Sequence, residues 1–395
     1  MGKKIMILGA SILQLPAIKQ AKAMGLDVIA VDINPNAIGF KVPNIKKEII
    51  STIDIPSVIE AAKKHHIDGI MTLATDMPMR TVAAVVKELG LIGIQEETAL
   101  KATNKAKMRL ALQKENVPIP KFFKVSNVKE YQNAVKKFNM PFIVKPVDSS
   151  GSRGIFEVID INNNQLIKQA YEYCRPFSRN GDVIVEEYMK GPEVSVSING
   201  ECHVIQITDK LTTGAPHFVE MAHSQPTRHS QKIIEQISKI AKAANKAIGI
   251  ENGPSHTEII VTTEGPKVVE LGARLGGDNI TTHLVPFSTG INMVECCIKI
   301  ALGETIEIIP KWNRGSAIRY FQQKAGIIKK ISGIEEAKKI KGVEQIEIVH
   351  GVGESITEVC SSGSRMGYII ATADTAKQAR SLCEEAMKLI EIEIV

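Results

Sequence analysis

Ser255-His-Thr-Glu258-Ile-Ile-Val-Thr-Thr-Glu-Gly265-Pro-Lys-Val-Val-Glu270-Leu-Gly-Ala-Arg274-Leu-Gly276-Gly277 reads as two strands joined by a turn at Glu264-Gly265. If the hairpin centres on that turn, Glu258 lies almost opposite Glu270, close enough across the pair to share one cation. Two buried carboxylates at that distance repel, and a hard divalent ion is the simplest compensation. Magnesium suits such a set because carboxylates and nucleotide phosphates hold it together in near-octahedral geometry. The apolar residues flanking each glutamate argue against two strand residues that merely face solvent.

Two segments upstream carry complementary chemistry. Pro141-Phe-Ile-Val-Lys145-Pro-Val-Asp148-Ser149-Ser150-Gly151-Ser152-Arg153-Gly154 ends an apolar strand in a lysine and then opens a loop of serines, glycines and one arginine. Glycine allows the backbone angles that line up N–H donors on phosphate oxygens, and the lysine adds a point charge beside them. The loop lacks G-x-x-x-x-G-K-[ST], so it is no P-loop, and alone it reads more often as a plain hairpin. Val183-Ile-Val-Glu186-Glu187-Tyr188-Met189-Lys-Gly191-Pro-Glu193 is a strand, an acidic pair, a turn and a second strand start. A backbone edge at Glu186 to Met189 suits a purine, and Glu193 can accept from ribose hydroxyls.

The rest of the chain sets the frame. At 395 residues, 44% hydrophobic and 23% charged, it has the composition of an ordinary globular protein of roughly two to four domains. Its net charge of +6 is spread without a block of like charges, which excludes the usual footprint of nucleic-acid binding. No apolar run approaches a membrane span. Ile5 to Leu15 imitates a signal peptide but contains Gly9, Ser11 and Gln14 and lacks a small-x-small cleavage site, so a first buried strand is expected. Six cysteines without a CxxC pair suit reduced thiols in a cytoplasmic protein.

From residue 1 to about 95, short β-branched runs (Ile5 to Leu8, Val28 to Asp32, Glu48 to Ser51, Gly69 to Leu73, Leu91 to Ile94) alternate with helical patterns, predicting a parallel sheet covered on both faces. The first turn, Gly9-Ala10-Ser11-Ile12-Leu13, lacks G-x-G-x-x-G, so Asp32 is a structural residue and no dinucleotide cofactor is expected. Thr103 is the expected N-cap of a helix ending near Asn116, with a domain boundary just before it. Residues from about 117 to 310 have an α+β pattern. A Gly-punctuated third region follows, closing on an amphipathic helix near Thr375 to Ile390. The expected architecture is therefore α/β and α+β: a Rossmann-like domain over 1–95, a second domain over 96–310 with a covering subdomain at about 117–188, and a small C-terminal α+β domain over 311–395.

Together the three segments resemble the ATP-grasp superfamily, over nearly the whole chain. The resemblance implies a pre-ATP-grasp N-terminal domain and ATP with Mg2+, or Mn2+, as cofactors. Lys105 and Lys145 would contact phosphates under the Ser149 to Gly154 loop, and Glu186, Glu187, Tyr188 and Met189 would form the adenine hinge. Glu193 would sit at the ribose and Glu258 and Glu270 at the metal. Many members have Asn two residues after the second glutamate, where this chain has Gly272. Within the superfamily the chain is most similar to the L-amino-acid ligases that make dipeptides, through Ile207-Thr-Asp209-Lys210, Phe218-Val-Glu220-Met-Ala-His223-Ser-Gln-Pro226 and Glu270 to Gly277. That implies Glu220, His223, Arg274, Gly276 and Gly277 at the substrate, and catalysis by Arg274 and Lys145 through an acyl phosphate, with ADP and phosphate as products. A structural alternative pairs Arg274 with Glu270 or Asp278. Small-molecule carboxylate and amine partners follow, without nucleic acid or membrane, and with room for a homodimer. The rival readings are another ATP-grasp reaction (a carboxylase, a nucleotide-precursor synthetase, or ligation to a sugar or polymer) and a non-catalytic ATP-binding module.

Overall fold

The computed structural model describes residues 2–198 and 202–395. The chain begins with β1 (Lys4–Leu8), α1 (Leu15–Ala23), β2 (Asp27–Val31), β3 (Lys46–Glu48), α2 (Ile55–His65), β4 (Gly69–Thr72) and α3 (Pro78–Leu89). The strands form a parallel sheet in the order β3-β2-β1-β4. Apolar residues at both parities explain why β1 is buried on both sides. Ile5 and Ile7 face one core with α1, and Met6 and Leu8 face another with α2 and α3. The expected strand at Leu91 to Ile94 does not form. Only Ile94 of this segment is fully buried, Ile92 is exposed, and Gly93 packs tightly on Val86 of α3, so the segment runs over a helix and not along the sheet edge.

Next come α4 (Glu96–Ala102) and α5 (Lys105–Lys114), and here the expected cap moves by one residue. Asn104 caps α5, accepting from the Lys107 N–H, while Thr103 closes α4 by donating to the Ala99 carbonyl. A smaller layer follows: β5 (Phe122–Val125), α6 (Val128–Val135), β6 (Phe142–Pro146), β7 (Phe156–Val158), α7 (Asn164–Cys174) and β8 (Val183–Glu187), with sheet order β5-β8-β6-β7 and a core of its own.

The large sheet is built from β9 (Glu193–Ile198), β10 (Val204–Thr212), β11 (Glu220–Gln225), β12 (Ser255–Thr262) and β13 (Gly265–Gly272), with α8 (Gln231–Ile248) between β11 and β12. Helices α9 (Val285–Thr289) and α10 (Met293–Ala301) then return to the N-terminal sheet. The last region has β14 (Gly315–Tyr320), β15 (Gly326–Ser332), α11 (Ile334–Lys338), β16 (Val343–Ile348), β17 (Ser355–Ile356), β18 (Gly367–Ala373), α12 (Ala376–Leu389) and β19 (Glu391–Ile394). Strands β14, β18 and β16 extend the large sheet to eight, in the order β13-β12-β9-β10-β11-β14-β18-β16. Thr375 and Gln378 form a capping box on α12, close to where the amphipathic pattern begins. Among the described residues no single helix is long and apolar enough to cross a membrane.

One buried ion pair ties the smaller layer to α5. Arg109, 1% exposed, donates from Nε to Glu186 Oε1 at 2.5 Å and from Nη2 to the Val269 carbonyl at 2.6 Å. Helix α5, β8 and β13 therefore meet at one guanidinium. Arg109→Met keeps much of the volume but removes the charge, which should lower the stability of unfolding by about 3–5 kcal/mol, because Glu186 is left buried with less compensation. Urea denaturation checks this; an unchanged midpoint would show that the pair contributes nothing to stability.

Candidate functional site

The hairpin of β12 and β13 turns at Thr263-Glu264, one residue before the expected Glu264-Gly265, and a bulge between Glu258 and Ile259 shifts the register so that Glu258 pairs with Glu270. Each carboxylate already has an ammonium beside it. Lys105 Nζ lies 3.1 Å from Glu270 Oε2 and also donates to the Ser149 carbonyl at 2.7 Å. Burial depresses the Lys105 ammonium, but Glu270 outweighs it and holds its pKa above the usual value. Lys145 lies 3.1 Å from Glu186 Oε2, and Glu186 is wholly buried. Burial raises the Glu186 carboxyl, yet Arg109 and Lys145 together bring it down to about 2. Its side chain is therefore an internal bracket for Lys145.

A second ammonium organises the neighbouring strands. Lys210 Nζ on β10 sits 2.7 Å from Glu193, 2.9 Å from Glu258 and 3.5 Å from Glu220, and its side chain is 3% exposed. Burial opposes its charge, but the three carboxylates keep it firmly protonated. They do not share the benefit equally. Burial and the nearby charges of Glu258 and Glu220 push Glu193 up to about 7 against the pull of Lys210. Glu258 is held well below the usual range, burial notwithstanding, because it has both Lys210 and His256 beside it.

The C-terminal region closes the other end of this face. Arg365 donates to both oxygens of Asp278 at 2.7 and 3.0 Å and to the Glu220 carbonyl at 2.8 Å, with its guanidinium 3.7 Å from the Tyr320 ring centre. His223, buried on β11, contacts Asp278 at 3.4 Å. Burial raises the Asp278 carboxyl, but His223 and Arg365 hold it far below its ordinary value. Ser362 Oγ donates to Glu220 Oε2 at 3.3 Å.

The other expected residues fall around these groups. A cavity is lined by Asp76, Lys105, Ser149, Ser150, Glu270 and Arg274 among others, so residues far apart in the chain meet there. In the covering loop Gly151 has φ +66°, Ser152 donates to the Phe218 carbonyl at 3.2 Å, and Arg153 bends back to the Ser150 carbonyl. Glu187 pairs with Lys267 at 3.2 Å, and the Tyr188 ring lies 6.4 Å from that of Phe218. The Tyr188 N–H is committed to the Pro141 carbonyl, while Met189 is buried beside it. Gly276 has no room for a side chain because the His256 ring packs on it, and Gly277 faces Ala74. The alternative partners for Arg274 are corrected. It pairs with neither Glu270 nor Asp278 but with Asp76, through Nε at 2.8 Å and Nη2 at 3.1 Å. Asp278 belongs to Arg365.

Sequence reasoning passed over Asp76, Arg365 and the bridging role of Lys210, and it considered Asp278 only as a partner for Arg274, not for Arg365 and His223. Only Lys210 left a signal, as the charged end of Ile207-Thr-Asp209-Lys210 in a strand otherwise set for burial. A metal fits this donor set in one form. Among the described residues no group of three or more His, Cys, Asp or Glu is arranged as a cage. Glu258 and Glu270 on adjacent strands supply the one or two carboxylates that suffice for magnesium arriving with nucleotide phosphates.

An ATP-grasp domain model matches residues 138–282, and the model of L-amino acid ligase C-terminal domain 2 matches residues 319–395. The L-arginine-specific L-amino acid ligase of Bacillus subtilis is 24% identical over 332 residues, 82% of this chain and 80% of its own length. L-amino acid ligase from Bacillus licheniformis has the same fold, with a TM-score of 0.85 at 23% identity over 100% of this chain and 99% of that one. Phosphoribosylglycinamide synthetase from Anaerococcus prevotii follows at 0.80 and 24% over 100% of both chains. The ATP-grasp resemblance and its leaning toward L-amino acid ligases are borne out, as is the mixed α/β and α+β architecture.

The Glu193 carboxyl yields a pH prediction. Its folded pKa, about 7, lies above the ordinary 4.5. The folded protein thus retains a proton that the unfolded chain has lost, and stability from this group falls as pH rises from the lower value through the higher. Glu193→Gln removes that dependence. The melting midpoint of the variant relative to wild type should be higher at pH 8 than at pH 5, by about 2 °C or more. A difference that is flat with pH would show the carboxyl ionised throughout.

Proposed function

We propose that this chain, an ATP-grasp carboxylate–amine ligase, joins two L-amino acids, activating the carboxylate of one at the expense of ATP. The observation that carries the reading is the cavity where Lys105, the Ser149 and Ser150 loop, Glu270 and Arg274 converge. An ammonium for phosphate, a carboxylate for a metal and a guanidinium for developing charge stand there together.

In this mechanism an oxygen of the substrate carboxylate attacks the γ-phosphorus of ATP and ADP departs. The neutral amine of the second amino acid then attacks the acyl carbon, and phosphate leaves with the electron pair of the broken C–O bond and takes up the proton that nitrogen gives up. Magnesium, held by Glu258 and Glu270 when bound, or manganese in its place, would neutralise phosphate charge. The protein's own part is to position reactants and to meet charge. Lys145, braced by Glu186, and Lys105 take phosphate oxygens. The Glu186 to Met189 segment meets adenine through backbone groups other than the Glu187 and Tyr188 N–H, which donate to the Lys121 and Pro141 carbonyls, and Glu193 accepts from ribose. The loop from Ser149 to Gly154 shields the acyl phosphate from water, which would otherwise hydrolyse it. Glu220 holds a substrate ammonium, His223 supports that end through Asp278, and the narrow approach at Gly276 and Gly277 admits substrate beside Arg274. We place the ligase in the cytoplasm, where six free cysteines stay reduced, and allow for a homodimer.

With magnesium present, amino-acid pairs should drive release of ADP and phosphate. Glu270→Gln should lower that turnover by roughly 10²-fold or more with the fold retained. Coupled assays of ADP and phosphate over a matrix of amino-acid pairs check both points. Formation of AMP and pyrophosphate would reject the mechanism. Release driven by a phosphoribosylamine with glycine, and by no amino-acid pair, would replace the dipeptide reading with nucleotide-precursor synthesis.

A further inference from the structure

Gly272 lies on β13, two residues after Glu270 and two before Arg274, at a position where the family resemblance leads one to expect asparagine. Its backbone does not require glycine, since its φ is not in the left-handed region. Space is what excludes a side chain. A Cβ at residue 272 would lie 2.9 Å from Asp76 Oδ1, 3.0 Å from Arg274 Cζ and 3.1 Å from Arg274 Nε. The volume that a side chain on this strand would fill is thus taken by a carboxylate and guanidinium pair, and the carboxylate comes from the N-terminal domain.

The loop that delivers Asp76 is held at several points. Thr72 Oγ1 donates to the Leu8 carbonyl and contacts Thr75 Oγ1, Gln14 Nε2 donates to the Leu73 carbonyl, and Ala74 takes a positive φ of 59°. Asp76 also stands at the start of α3, where its carbonyl accepts from the Met79 N–H. An aspartate at a helix start commonly caps the helix with its side chain, a contribution of about 1 kcal/mol. Here the first turn of α3 has no side-chain cap, and both Asp76 oxygens are spent on Arg274 instead. A bidentate pair of this kind fixes the plane of the guanidinium as well as its position. It commits Nε and one Nη2 hydrogen, while Nη1 makes only a long contact, 3.4 Å, with the Leu275 carbonyl. Arg274 is thereby held by one edge where it lines the cavity with Lys105 and Glu270.

We propose that Asp76 is a positioning residue for Arg274, and that Asp76 and Gly272 form one exchangeable unit. The N-terminal domain supplies from outside the strand the polar group that a side chain at 272 would supply from within it. The N-terminal domain is accordingly part of the reaction centre, although it carries no nucleotide loop. This inference rests on the ligase reading for its turnover measurement and is independent of that reading for its stability measurement.

Asp76→Asn keeps the shape and weakens the grip on Arg274. It should lower kcat roughly 10- to 100-fold, as a slight misplacement of a catalytic group does. KM for ATP should stay within about threefold, and the melting midpoint should fall little, a split that a purely structural role would not produce. Asp76→Glu should fail to restore kcat, because the longer arm cannot hold the same plane. Gly272→Asn, measured without substrates, should lower the melting midpoint by crowding the pair. Adding Asp76→Gly to it should recover stability, so that the double variant is less destabilised than the sum of the two singles. A wild-type kcat in Asp76→Asn, or strict additivity of the two substitutions in thermal melts, would overturn the proposal. If wild-type protein releases no ADP with any amino-acid pair, the ligase reading fails alone, and the melts still decide the coupling of Asp76 and Gly272.

Discussion

The site depends on one buried ammonium. Lys210 Nζ stands within 3.5 Å of carboxylates from three other strands, and without it Glu193, Glu220 and Glu258 would crowd like charges onto a partly buried sheet face. Burying an unpaired charge costs up to several kcal/mol, and three like charges gathered on one partly buried face repel one another as well. Lys210 resolves this because β10 lies between β9 and β11 in the large sheet, with β12 beyond β9. One long side chain therefore reaches the proposed ribose, metal and substrate-amine positions at once.

That arrangement leaves an uneven distribution of charge. Glu258 has two basic neighbours and stays ionised, whereas Glu193 has one and is pushed up to about 7. Of the two carboxylates proposed for the metal, Glu258 is thus held ionised. The second layer works in the same way. Arg109 fixes Glu186, which fixes Lys145; Asp76 fixes Arg274; Arg365 fixes Asp278, which holds His223. Each group with a proposed chemical role is braced by an opposite charge from another element, so the site is assembled only when the three regions of the chain are packed together.

Some of this was legible in advance. That Glu258 and Glu270 stand on adjacent strands of one hairpin follows from a turn and strand alternation, both local properties, whereas their direct pairing depends on the bulge after Glu258, which the turn did not imply. The start of α12 at Thr375 follows from a capping box within four residues of sequence, and β1, β2 and β4 follow from apolar runs of strand length, whereas β3 forms at Lys46–Glu48, ahead of the expected Glu48 to Ser51. The failures have equally physical causes. Leu91 to Ile94 has strand composition but packs over α3, because the sheet ends at β4 and Gly93 lies against Val86. Thr103 and Asn104 are both good caps, and the shorter helix before them decides which one caps α5.

The run Ser-Ser-Gly-Ser-Arg occurs twice, at Ser149 to Arg153 and at Ser361 to Arg365, and its two fates divide what sequence determines from what tertiary structure decides. In the first copy Gly151 turns left-handed, and Arg153 is exposed and folds back on Ser150. In the second the serines form a capping box, and Arg365 lies over Tyr320, gripping Asp278. By itself the sequence determined most of the elements, the presence of the hairpin and the kinds of charge available for phosphate and metal, because periodicity, turns and caps act over a few residues. Only the tertiary structure decided which charges meet, as with Asp76 and Arg274, 198 residues apart. Such a pairing is selected by the packing of whole layers and leaves no trace in the residues beside either partner.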